Sequence, residues 1–183
     1  GIEPFSSFVQ RVQPKYYPVP PHLQPLYDLI DRSRHEQVRA LVSEPPRHGK
    51  SETIRLGLTY RTIYDPAVQN AYATYGGDLS KETGLAVREM ARNQGITIGR
   101  TSEASVKGFT GMMLDFKTSM GGGLKSTSVG GAITGRGVTG LLIVDDPLKG
   151  NEAARSLAEK NRVWNWLRRD ILSRLEGGSS CII

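Results

Sequence analysis

The period of the apolar positions changes along this chain, and each change marks an element. Leu23, Leu26, Tyr27 and Ile30 recur at i, i+3, i+4 and i+7, which is one face of an amphipathic helix. A short apolar stretch within residues 37–43 then predicts a strand, followed by a helix over 52–64 that the Asp65-Pro66 pair ends. Residues 69–75 predict a second strand. Asp78 is placed to cap the next helix, along which Leu79, Thr83, Ala86, Val87 and Met90 share a face. This order of helix, strand, helix, strand, helix predicts an α/β domain with a mainly parallel sheet and helices on both faces.

The pattern then shortens. Residues 113–120, the run Gly121-Gly122-Gly123 and residues 124–129 predict a hairpin turning on glycine. A second glycine-rich run, 130–137, leads into Leu141, Leu142, Ile143 and Val144. Four consecutive apolar residues read as a strand buried on both faces. From Asn151 a helix is predicted to about Leu175, with Leu157, Trp164, Leu167 and Ile171 inside and Arg155, Arg162, Arg168 and Arg169 on a solvated face. Gly177-Gly178 ends it, and SSCII begins another strand. Residues 1–21, rich in proline and aromatics, are expected to be irregular or extended. The chain divides into an N-terminal extension and helix, 1–36, and a core, 37–183.

Two places in this pattern carry chemistry. LVSEPPRHGKS, residues 41–51, joins a strand to a helix N-terminus through a tight loop. Backbone N–H groups and the positive end of a helix dipole converge there, as they do around phosphate. Glu44, Pro45, Pro46, Arg47, His48, Gly49, Lys50, Ser51 and Glu52 are the candidate nucleotide contacts. Lys50 supplies a point charge for phosphate and the Ser51 hydroxyl a ligand for Mg²⁺. Glu44 stands where the phosphate-loop consensus has its first glycine, and a polar strand-to-helix loop is the bland alternative. The second place is Asp145 and Asp146, at the C-terminal end of the LLIV strand, where open α/β sheets bind ligands. Asp145 is the candidate Mg²⁺ ligand, directly or through water, and Asp146 the candidate base for an attacking water. A simple Asp-Asp-Pro turn is the alternative there. Gln24, with the nearby aromatics, is a candidate for the adenine side.

Composition narrows the class. The net charge of +6 and pI near 9.6 favour an anionic partner, nucleotide or nucleic acid. One cysteine, Cys181, excludes an internal disulfide framework and reads as an inert strand thiol; His22, His35 and His48 form no zinc pattern. No apolar run reaches membrane-spanning length, and no signal peptide is evident, so the cytoplasm of the cell that holds it is the expected compartment. A start at Gly1 and an end inside a strand suggest a piece of something longer.

EPPRHGKS, ATYGGDLS, SVGGAITGRGVTGLLIVDDP and WNWLRRDILSRLEGGSS, taken in that order, resemble the ATPase domain of the large terminase subunit of tailed bacteriophages. The resemblance implies an ASCE-type three-layer phosphate-loop NTPase that hydrolyses ATP with Mg²⁺ and drives double-stranded DNA into a procapsid. It further implies a homo-oligomeric ring, docked with a portal and a small terminase subunit in the cytoplasm of a host cell. The nuclease domain and coupling motif of full-length members are not in this sequence, so no nuclease activity is expected from it. By the same resemblance Lys50, Ser51 and Asp145 take the phosphate and metal contacts, and Asp146 falls where many relatives carry glutamate. Arg136 is favoured as an arginine finger acting on a neighbour's site, with Arg47 as the competing choice. A helicase-like ATPase and a nucleotide-switched assembly module are the alternative functions.

Overall fold

The computed structural model describes residues 1–43, 49–105, 112–135, 137–148, 150 and 156–183. Among the described residues seven strands form one sheet: β1 (Arg39–Ala40), β2 (Gln69–Thr74), β3 (Ile98–Ser105), β4 (Met112–Thr118), β5 (Gly123–Ser128), β6 (Leu141–Asp145) and β7 (Ser180–Ile182). Their spatial order is β1-β7-β6-β2-β5-β4-β3. The first five of these run parallel, and β4 and β3 are added antiparallel at one edge. β7 lies between β1 and β6. Among the described residues no helix is long and apolar enough to cross a membrane.

Strand alternation divides the core into two. Tyr72, Leu141, Ile143 and Ile182 point to one face, where they meet α1 (Phe5–Val12), α2 (Gln24–Arg32), α3 (Lys50–Tyr64) and α4 (Gly77–Asn93). Ala71, Ala73, Leu142, Val144 and Cys181 point to the other, against α5 (Leu157–Trp166) and the turns after it. The fold is therefore three-layered. The segment 1–36 belongs to the first of these cores. Phe5, Phe8 and Val9 are fully buried, Phe5 N–H donates to Asp31 Oδ1 at 2.7 Å, and the Tyr60 hydroxyl donates to the Glu3 carbonyl at 2.8 Å.

The predicted hairpin is present as β4 and β5, and it turns where expected. β3 is an addition that the polar sequence of 98–105 did not signal, because an edge strand needs only one partner. The strand expected over 37–43 pairs only at Arg39 and Ala40, with Val42 N–H adding one bond to the Ile183 carbonyl. α4 begins one residue before Asp78, with Gly76 as its cap position, so Asp78 sits in the first turn and complements the helix dipole instead.

The last helix differs from expectation in two ways. Residues 151–155 lie outside the described residues, and α5 proper starts at Leu157 behind Ser156, whose Oγ accepts from Glu159 N–H. A π-helical turn, Leu167–Ile171, and a 3₁₀ turn, Leu172–Arg174, complete the segment. Leu157 and Trp164 are 72% and 55% exposed, not internal; Val163, Trp166, Leu167 and Ile171 form the inner face. Two tryptophans two residues apart cannot share one helical face. Trp166 takes the core because its indole N–H reaches the Gly131 carbonyl at 2.6 Å, which a buried indole requires.

Candidate active site

β1, β6 and β7 run parallel, so their C-terminal ends share one edge of the sheet, and a cavity of about 320 Å³ opens there. Leu26, Ile54, Ile143 and Ile182 give it apolar walls, and Lys50, Asp145 and Asp146 supply charge. Volume and lining are those of a small-ligand site: mostly apolar, with a few convergent polar groups.

Lys50 is the first residue of α3. Gly49, at the cap position, has φ of +87°, a left-handed conformation that a Cβ would strain, so glycine is what lets the chain turn into the helix here. The Lys50 ammonium then reaches across to β6, where its Nζ lies 3.0 Å from Asp145 Oδ1. The Asp145 side chain is only 3% exposed, and a carboxylate so buried must be paired. Its second oxygen accepts from the Tyr72 hydroxyl at 3.3 Å. Tyr72 projects from β2 on the same face, one strand away. Burial first, then the neighbouring Asp145 charge, pushes the Tyr72 pKa above its ordinary 10.0, so the hydroxyl remains a donor throughout the neutral range.

Asp146 differs from Asp145 in every respect that bears on chemistry. It is exposed, and its φ of +45° makes it the one non-glycine in the left-handed region among the described residues. Aspartate tolerates that region better than most residues, yet holding it there costs about 1 kcal/mol or more. Strain of this kind clusters at functional sites. The kink after β6 takes Asp146 out of the sheet's alternation, and the residue lines the cavity.

The donor set suits Mg²⁺. That cation is held through one or two carboxylates, with water and substrate phosphate completing its shell. Asp145 offers one buried carboxylate, and no cluster of three or more histidine, cysteine or acidic side chains exists among the described residues. Ser51 stands exposed in the first turn of α3 beside Lys50.

Lys50, Asp145 and Asp146 thus line one cavity. Glu52 is half-buried and turned to Arg55, 3.8 Å away. Gln24 is exposed, its amide donating to Asp28 at 2.8 Å, and Leu26 rather than Gln24 lines the cavity. Glu44, Pro45, Pro46, Arg47, His48 and Arg136 lie outside the described residues. Sequence reasoning missed Tyr72 and the walls Ile54, Ile182 and Ile183. For Tyr72 a signal existed in its spacing two residues before the end of β2, but reading it needs the pairing of β2 with β6.

Neither a family model nor a curated protein matches the sequence. Among solved structures, the crystal structure of the HK97 bacteriophage large terminase matches with a TM-score of 0.57 and 15% sequence identity. The match covers 98% of this chain and 36% of that one, so the chain spans about a third of the terminase's length. At that identity the likeness is one of fold, and it extends over nearly the whole of this chain: the protein has the α/β fold found in a bacteriophage large terminase.

Proposed function

We propose that this chain is the ATPase motor domain of a viral DNA-packaging terminase, hydrolysing ATP with Mg²⁺ to move double-stranded DNA into a procapsid. The observation that carries the reading is the Lys50–Asp145 ion pair, which spans from the start of α3 to the end of β6 in the cavity. A cation and a buried carboxylate in contact at this sheet edge, on a fold shared with a phage terminase, support one as the phosphate contact and the other as the metal contact.

In this reading ATP enters with its base among Leu26, Ile54 and Ile182 and its phosphates toward Lys50 and the α3 N-terminus. Ser51 and Asp145 would hold Mg²⁺, which when bound neutralises charge on the β and γ phosphates. Asp146 accepts a proton from water as the water oxygen bonds to the γ phosphorus, and the bond to the bridging oxygen breaks with its electron pair leaving on ADP. Tyr72 orients Asp145 through its hydroxyl. Arg136, supplied by a neighbouring subunit of a ring, neutralises the charge that spreads over the transferring group; Arg47 is the cis alternative. A finger of this kind contributes about 10³ to 10⁵ in turnover.

Steady-state MgATP hydrolysis across protein concentration tests this, with nucleotide binding measured separately. Specific activity should climb with concentration and vanish in Arg136→Ala while ATP still binds; Lys50→Ala should lose both. Flat specific activity and an unaffected Arg136→Ala would make the protein a monomeric ATPase and Arg136 structural.

A further inference from the structure

The outward face of α5 and the turns after it hold an unusual set of side chains. Lys160, Trp164 and Arg168 follow at i, i+4 and i+8, one line along the helix, with Leu157 above them. The indole of Trp164 is 55% exposed. Lys160, Arg168, Arg169 and Arg174 are all exposed, and none pairs with a carboxylate among the described residues. Several arginines elsewhere are engaged: Arg88 and Arg92 with Glu89, Arg55 with Glu52 and Glu82, Arg34 and Arg61 with Asp65, while Lys117 is exposed and, among the described residues, isolated on β4. Asp170 and Glu176 are the acidic groups on the same stretch beyond Glu159, which is paired with Arg162.

Within the π-helical turn Leu167–Ile171, Leu167 and Ile171 are buried while Arg168 and Arg169 are exposed. Such turns are rare and occur frequently at functional sites. A buried Trp166 beside an exposed Trp164 has the same sense, since the exposed indole forgoes burial and offers a flat apolar face with an N–H donor.

We infer that the α5 face centred on Trp164, with Lys160, Arg168, Arg169 and Arg174, is a contact surface for the phosphate backbone of double-stranded nucleic acid. Cations without carboxylate partners are free to release the counterions of a polyanion, and phosphate contact needs no base readout. Asn161 and Asn165 add exposed amide donors between them. The choice of DNA as partner rests on the terminase reading; the location rests on the surface alone.

The test is fluorescence anisotropy of a short labelled duplex of mixed sequence, titrated with the whole chain at several salt concentrations without nucleotide. Wild type should show a log–log salt slope of about 3.6 if four phosphates are engaged. Arg168→Ala with Arg169→Ala should lower the slope by about 1.8 and weaken binding roughly 60-fold at ~0.1 M salt. Acrylamide quenching of Trp164 should fall when duplex is bound, with buried Trp166 as the insensitive background. Unchanged affinity and slope in the double variant would overturn the assignment, and so would a wild type that does not bind duplex at low salt. Self-association abolished by Trp164→Ala with duplex binding intact would overturn it in favour of a protein contact. ATP binding measured on the same samples separates the two readings: duplex binding without ATP binding removes the ATPase and leaves this surface standing.

Discussion

Asp145 and Asp146 are adjacent carboxylates with opposite surroundings, and that contrast is the sharpest chemical feature of the protein. Asp145 ends a strand and is buried between Lys50 and Tyr72; Asp146 leaves the strand with positive φ and faces solvent. Two consequences follow at single residues. Asp146→Gly and Asp146→Asn should both lose hydrolysis while still binding nucleotide, yet urea denaturation should show Asp146→Gly as stable as wild type or slightly more so. Asp146→Ala should be about 1 kcal/mol less stable than Asp146→Gly, because alanine bears the cost of the left-handed backbone and glycine does not. Equal stability of the alanine and glycine variants would contradict this account. Tyr72→Phe removes the donor to Asp145 Oδ2 without changing the ring. The Mg²⁺ concentration needed for half-maximal nucleotide binding should rise, within the 10- to 100-fold range of such supporting contacts, with a stability loss of about 1 kcal/mol. Urea unfolding and nucleotide titration at varied Mg²⁺ check it.

Among the elements, the β4–β5 hairpin shows how a pattern can be legible while its reason is not. Three glycines in a row announced a turn, but any turn residues would have sufficed for a free hairpin. Gly122 is needed because the turn is pressed against the connection between α3 and β2: an added Cβ would lie 2.3 Å from the Val68 carbonyl oxygen and 2.6 Å from that of Pro66. Both are backbone atoms that cannot rotate away. Gly122→Ala should therefore destabilise the fold by about 3 kcal/mol, read as a lower denaturation midpoint. The same contact explains why β5 lies beside β2, since Gly123 N–H donates to the Val68 carbonyl at 3.0 Å. α5 is the opposite case. Its periodicity was read correctly as helix, but Trp164 and Trp166 fit an apolar face about equally well by sequence. Only the carbonyl of Gly131, 35 residues away, decides between them.

At the scale of the whole molecule, residues 1–36 are bound into the main core rather than appended to it. Phe5, Phe8, Tyr27 and Tyr60 pack ring against ring at 4.6 to 5.5 Å, and burial pushes the Tyr60 pKa up to about 12. Glu3 closes the rim of this cluster by accepting hydrogen bonds from Arg11 and from the Tyr64 hydroxyl. The Arg11 hydrogen bonds are the main reason its pKa lies below the ordinary 4.5. A lowered folded value means that Glu3 contributes stability above pH 4.5, and that this contribution is lost as pH falls through the folded pKa. Acid denaturation of Glu3→Gln should accordingly be shallower than that of wild type below pH 4.5. Parallel curves would show that the contact contributes nothing.

Local rules were enough for much of this. Strand and helix periods, the Asp65-Pro66 stop, the glycine hairpin and the two motifs are all properties of short segments, and short segments respond to their own steric and hydrophobic preferences. From them came the parallel α/β sheet with helices on both faces, and Lys50 and Asp145 as partners at one site. What the tertiary structure alone decided is non-local. The insertion of β7 between β1 and β6, the Tyr72 hydroxyl on Asp145, the apolar cavity walls from Leu26 and Ile182, and the outward turn of Trp164 each depend on residues far apart in sequence. Their energies arise only when the chain is folded, because burial and pairing are set by which surfaces meet.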